Sequence, residues 1–155
     1  DLHLSIRRQR QMCIRDRIHI AHQDGRDHIS LLEHYAPYGD SPPLHVHHTE
    51  DEVFFVLEGE LRLRVGEEER QLAPGQAILA PKGSAHTYRV ESSAGARWLT
   101  VTIHSDFERF VRALARPAEQ HALPPSSGAP TPEAVTFLAA TARAHNIEIV
   151  GLPLH

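Results

Sequence analysis

Three observations predict an all-β fold of the antiparallel barrel or sandwich type. Between Asp27 and Ile103 the sequence runs as apolar stretches of four to seven residues broken by Gly, Pro and acidic turns, the spacing of a many-stranded antiparallel fold. Leu61-Arg62-Leu63-Arg64-Val65 alternates strictly, apolar on one face and basic on the other, as a half-buried strand requires. Helical periodicity appears only after Ile103. The 155 residues fit one domain of ordinary size. With 41% hydrophobic and 23% charged residues the chain is too apolar for wholesale disorder. It contains no apolar run of about 18 residues, the length of a membrane-spanning helix.

The first segment stands apart. Asp1-Leu2-His3 and, after three arbitrary residues, Arg7-Arg8-Gln9-Arg10-Gln11-Met12-Cys13-Ile14-Arg15-Asp16-Arg17 resemble the conceptual translation of a transposon-type sequencing-library adapter. Residues 1–17 are therefore excluded from fold reasoning and expected to make few packed contacts. On that reading the biological chain begins near Ile18, and the single methionine and single cysteine, Met12 and Cys13, lie outside it. No disulfide then staples the fold, which permits a reducing, cytoplasmic setting. Without the five arginines and two aspartates of this segment, 11 basic and 18 acidic residues remain, a formal charge of −7. Such a surface disfavours nucleic acid and anionic membranes, so the expected partner is a small molecule.

Strands are predicted at residues 28–35, 44–48, 53–57, 61–65, 76–79, 86–90 and 97–103. The stretch 53–57 is apolar on both faces and predicts deep burial. Gly59, Gly66, Gly75 and Gly83 mark the turns between strands, two of them preceded by Pro74 and Pro81. Ser105-Asp106-Phe107-Glu108 reads as a capping box. Phe107, Phe110, Val111 and Leu114 follow at helical spacing, predicting a short helix on the outside of the barrel. Residues 117–130 hold four prolines and read as an exposed linker. Thr131 and Pro132 then start a second helix with Val135, Leu138, Ala139 and Ala142 as its apolar stripe. Residues 147–150 predict a last strand paired with a sheet edge, of this chain or of a second subunit. The organisation is thus a barrel with its following helix over 18–116, a linker over 117–130 and a C-terminal helix and strand over 131–155.

The chemistry concentrates in two stretches, Gly39-x5-His45-x-His47-x4-Glu52-x6-Gly59 and Gly75-x5-Pro81-x-Gly83-x2-His86. His45 and His47, at i and i+2, share one face of a strand and can offer two imidazoles to one ion. A tight turn at 48–51 brings Glu52 back toward them, and His86 starts a later strand. Three imidazoles and a carboxylate suit one Fe(II), Mn(II), Ni(II), Co(II) or Zn(II) ion. Glu50 and Asp51 are rival carboxylates, read as a solvated turn, as is Glu67-Glu68-Glu69. His48 points away from His47, and the other histidines, His34 among them, show no ligand spacing and default to the surface. Alternation from Glu52 and His86 turns Phe54, Val56, Tyr88 and Val90 inward, with Leu63 beside them. That apolar pocket suits a small aromatic or hydrophobic substrate. Trp98 is read equally as pocket lining or as plain core.

These two stretches resemble the paired signature motifs of the cupin superfamily at every defining position except Val90, where the family usually has Asn. The resemblance implies a double-stranded β-helix, or jelly-roll, barrel and the metal ligands His45, His47, Glu52 and His86. Pro42-Pro43-Leu44-His45-Val46-His47, Val56-Leu57-Glu58-Gly59-Glu60-Leu61 and Ala144 to Pro153 further resemble single-domain bacterial cupins of the quercetin 2,3-dioxygenase-like type. This implies a metal-dependent dioxygenase with Glu52 as ligand and catalytic base, and Phe54, Leu63, Tyr88 and Val90 as substrate-binding residues. The alternatives are a metal-cupin isomerase, decarboxylase or lyase, and a non-catalytic binding module. Proteins of this kind also imply a homodimer exchanging strands.

Overall fold

Period-two alternation decides which side chains face the interior, and the inward rows are what place the site. A computed structural model describes residues 2–5, 15–117 and 130–155. In chain order its elements are β1 (Leu2–Ser5), β2 (Arg15–Ile20), β3 (Ser30–Ala36), β4 (His45–His47), β5 (Glu52–Glu58), β6 (Leu61–Val65) and β7 (Glu68–Leu72). Then come β8 (Ala77–Ala80), β9 (His86–Val90), β10 (Ala96–Thr102), α1 (Asp106–Leu114), β11 (Arg116–Pro117), α2 (Pro132–Ala144) and β12 (Ile147–Ile149).

The strands form two antiparallel sheets, one of seven strands in the order β11-β1-β2-β3-β10-β5-β8 and one of five in the order β12-β4-β9-β6-β7. This is the jelly-roll arrangement, two sheets closed over one core. The core unites Phe54, Val56 and Trp98 of the first sheet with Leu61, Leu63, Tyr88 and Val90 of the second. In β3 and β10 every second residue is buried. Register sets three inward rows side by side on β5, β10 and β3: Glu52 by Thr102 and Ser30, Phe54 by Thr100 and Leu32, and Val56 by Trp98 and His34.

Several expectations need correction. Residues 1–17 do not stay free of packed contacts: β1 pairs with β2 and β11, β2 pairs with β3, and the Asp16 side chain is buried. Pro117 pairs with Leu4 in β11 instead of opening a linker. The rest of that linker, residues 118–129, lies outside the described residues. Glu68 and Glu69 belong to β7, an exposed edge strand joined to β6 by Gly66 and Glu67, with Val65 opposite Glu68. Its charges hid the strand from a hydrophobic reading, and they suit an edge exposed to water. β5 is not buried on both faces, since Phe55 is 38% exposed.

At α1 the predicted capping box does not form. Ser105 has φ +91° and makes no side-chain cap. Glu108 is drawn inward instead, accepting hydrogen bonds from Ser30 Oγ at 2.5 Å and the His22 amide at 2.6 Å. The helix N-terminus is satisfied from elsewhere, because Glu50 accepts the Phe107 amide. In α2 Thr131 does cap, accepting from the Ala134 amide at 3.2 Å. Leu138 and Ala142 are buried while Val135 is 45% exposed, which narrows the predicted stripe. β12 pairs with β4 of its own chain.

Gly59 carries φ +73°, and a Cβ there would sit 2.4 Å from the Gly95 carbonyl oxygen; Gly66, at φ +59°, has open space around it. Gly66→Ala should therefore cost only the left-handed backbone penalty, about 1 kcal/mol. Gly59→Ala adds a backbone collision and should cost about 3 kcal/mol or more. Denaturant unfolding of the two variants checks this, and equal losses would refute the role given to the Gly59–Gly95 contact.

Candidate metal centre

Four side chains from three strands meet at one end of the interior. His45 and His47 project from the same face of β4, which pairs through His45 with His86 at the start of β9. Glu52 opens β5 in the facing sheet. The ring centroids lie 5.2 Å apart for His45 and His47, 4.4 Å for His45 and His86, and 5.0 Å for His47 and His86. Glu52 Oε2 is 2.9 Å from His86 Nε2 and 3.5 Å from His47 Nε2. One ligand atom from each of the four residues lies within 4.8 Å of the others. An ion drawing each donor to about 2.0–2.2 Å needs only small side-chain rotations from there.

The histidines are also oriented as ligands. His45 Nδ1 donates to the Pro43 carbonyl at 2.7 Å and His86 Nδ1 to the Ser84 carbonyl at 3.0 Å. Each bond fixes the ring and turns Nε2 toward the centre, the arrangement of metal-binding imidazoles. His47 Nδ1 lies 3.8 Å from Glu50 Oε1.

Electrostatics favour a cation. Burial, aided by the neighbouring histidines, pushes His45 down to about 3. Burial also lowers His47 to about 4, against the pull of Glu52. For Glu52 burial acts upward, but His47 and the hydrogen bond from His86 outweigh it and hold the carboxyl at about 2. His86 is shifted up, because its bond to Glu52 overcomes burial. Two neutral imidazoles thus flank a His86–Glu52 ion pair. The donor set fits a divalent transition ion: two neutral nitrogens, a third that His86 supplies on giving up its proton, and one carboxylate, all largely buried.

A cavity of about 60 Å³, counted as space for the centres of water-sized groups, opens beside the centre. His45, His47 and Glu52 border it, and Phe54 and Tyr88 line it as expected from alternation. Leu63 and Val90 do not reach it; both are fully buried in the core, as is Val56. Trp98 is lining, 1% exposed. The sequence reading placed Glu50 in a solvated turn, yet it is fully buried and burial pushes its carboxyl up to about 8. Asp51 accepts the Lys82 amide at 2.8 Å, and His48 is surface-exposed against Glu148.

His34 is also not a surface residue. It is 5% exposed, lines the cavity and lies 2.5 Å from Asp16. Alternation from the buried Leu32 would have found it. Thr100 follows likewise from Trp98, but its hydroxyl made β10 look irregular. α1 turns Phe107, Phe110 and Val111 to the cavity, with the Phe107 ring 5.5 Å from His47, and so does more than pack on the barrel's outside.

Residues 31–102 match the family model described as Cupin domain. The chain is 31% identical over 112 residues to quercetin 2,3-dioxygenase of Bacillus subtilis (strain 168), covering 70% of this chain and 33% of that protein. It therefore spans about a third of that relative's length. Among solved structures it is similar to the polyketide cyclase RemF from Streptomyces resistomycificus, with 27% identity, a TM-score of 0.57, and coverage of 66% of this chain and 74% of that one. It also shares its fold with a predicted oxalate decarboxylase from Thermotoga maritima, at 19% identity, TM-score 0.55, covering 58% of this chain and 79% of that one.

The shifts at the centre set its proton balance. At pH 6, below the raised value of His86 and above those of His45 and His47, binding Zn(II) should release about one proton, from His86. Calorimetry in buffers of differing ionisation enthalpy measures that number, and release of about three protons would contradict the neutral state of His45 and His47. Metal-free protein should also lose stability as pH falls from about 6.5 toward 4. Unfolded histidines take up protons there that His45 and His47 refuse when folded.

Proposed function

Because residues 31–102 form a cupin domain and the four candidate ligands converge at its cavity, we propose that the protein is a metal-dependent dioxygenase acting on a small aromatic or enolisable hydroxyl compound. The observation that carries this reading is the buried His45–His47–Glu52–His86 cluster opening onto a largely apolar cavity. Similarity to the quercetin dioxygenase supports the reaction class. A divalent ion held by these residues supplies Lewis acidity that lowers the pKa of a substrate hydroxyl.

The chain's own groups do the remaining work. Phe54 and Tyr88, 6.4 Å apart and edge-on, offer aromatic walls against which a substrate ring packs. Glu52 is ionised over the whole working pH range and stands at the centre, so its carboxylate takes the hydroxyl proton. A carboxylate held that low is a weak base, so the transfer needs the acidified hydroxyl. The electron-rich enolate or phenolate left behind is the species that reacts with dioxygen. Phe107, Leu138 and Ile147, from α1, α2 and β12, surround the cavity with apolar groups and limit water.

The cavity selects by size. On a scale where one water takes about 10–15 Å³, 60 Å³ suits a single substituted ring or a diketone in preference to a flavonol. A second reading draws on the similarity to a polyketide cyclase: the same proton abstraction without oxygen, giving an isomerisation or cyclisation.

Protein loaded with Fe(II), Mn(II) or Ni(II) should consume dioxygen with catechols or β-diketones in an oxygen electrode. Substrate loss without oxygen uptake would move the assignment to the second reading. Glu52→Gln should keep metal affinity within about tenfold while turnover falls about 100-fold or more. Equal losses of metal and turnover would reduce Glu52 to a ligand.

A further inference from the structure

The cavity has a second polar region that the metal centre does not use. Register places His34 two strands and two inward rows away from Glu52. Its Nδ1 is committed to Asp16 Oδ1, 2.5 Å away on β2, while its Nε2 is buried without a hydrogen-bond partner. The Thr100 hydroxyl and the Trp98 indole N–H are buried and unpartnered in the same way. All three residues line the cavity and are at least 95% buried.

Leaving one buried donor or acceptor unsatisfied is costly, so three on one cavity wall mark a place where something polar belongs. The types are informative. The His34 Nε2 accepts or donates according to its proton, the indole is a donor, and the threonine hydroxyl is both. A hydroxyl group, which donates and accepts, satisfies this set in either form of the imidazole; a methyl does not. The span is also bounded. The Phe107 ring lies 6.0 Å from the His34 ring and 5.5 Å from that of His47, so the two imidazoles are no more than about 11.5 Å apart. One substituted ring fits within that bound.

We infer that His34 and Thr100 form a distal hydroxyl-binding subsite, so that the ligand is a single ring with a metal-directed oxygen at one end and a hydroxyl-bearing substituent at the other. This deepens the proposed function and rests on its metal-directed pose. His34 and Thr100 are binding residues.

Two catechols of matched size separate the ends of the molecule. 3,4-Dihydroxybenzyl alcohol and 4-ethylcatechol share the metal-directed end and differ by a hydroxyl in place of a methyl. Zn(II)-loaded full-length chain should bind the alcohol about tenfold or more tightly, measured by calorimetry and by quenching of Trp98, the single tryptophan. Asp16→Leu combined with His34→Phe removes the pair without stranding a buried charge. This double variant should lose the preference for the alcohol, the ratio of the two affinities falling to about one. Thr100→Val, nearly isosteric, should lose part of it. Equal affinity of wild type for both catechols would overturn the subsite while leaving the metal reading intact, and would mean that water satisfies these groups. If Zn(II)-loaded protein bound neither compound, the metal-directed pose would be wrong and the subsite would fall with it.

Discussion

Crowding three imidazoles and one carboxylate into a cluster in which His45 alone keeps partial exposure is the constraint on which the rest of this structure depends. Two of the rings are forced neutral by burial, and the third forms an ion pair with the carboxylate. Taken together the cluster presents three nitrogen donors and an anionic oxygen, with the Nδ1 side of His45 and His86 tied to carbonyls. A largely buried, donor-rich site of this kind has a divalent cation as its natural complement, because desolvation raises the worth of each metal–ligand contact.

The same constraint explains features remote from the ligands. Glu50 lies against His47 and accepts the Phe107 amide, and the Phe107 ring packs beside His47. One buried carboxyl therefore joins the metal centre to the first turn of α1. Glu108 anchors that turn a second time, on Ser30 and His22. Glu50, read from the sequence as a solvated turn, and Glu108, read as part of a capping box, instead seat α1 beside the cavity.

How much was legible follows from which physical signal each residue leaves in the chain. The strand order from residue 28 onward is carried by alternation and glycine turns. His45 and His47 are carried by spacing, since i, i+2 on a strand has one geometric meaning, whereas the choice of Glu52 over Glu50 and Asp51 comes from the resemblance to the cupin motifs. Glu50, Glu108, His34 and Thr100 are different: polar side chains satisfied or aimed across the fold, by partners up to 86 residues away. Hydropathy assigns such groups to water, and only tertiary contact reveals otherwise. β7 was hidden for the opposite reason, as a true strand whose exposed edge is charged. Leu63 and Val90 were placed in the pocket because alternation gives the face of a strand but not the depth at which the cavity ends.

The C-terminal strand carries a structural duty that its position at the end of the chain conceals. β4 is three residues long and meets β9 through a single pair, His45 with His86. On its other side β12 pairs with every residue of β4, Ile147 with His47, Glu148 with Val46 and Ile149 with His45. The Val150 and Gly151 amides also reach the Leu44 carbonyl, at 2.8 and 3.2 Å. A strand as short as β4 gains little order from its own sequence, so the ladder to β12 is what keeps two of the four candidate ligands on one face. Ile147 and Ile149 also close the cavity beside Leu138 and Ala142. The segment that could have been read as an appendage to the barrel therefore aligns the strand of two candidate ligands and seals the space beside it.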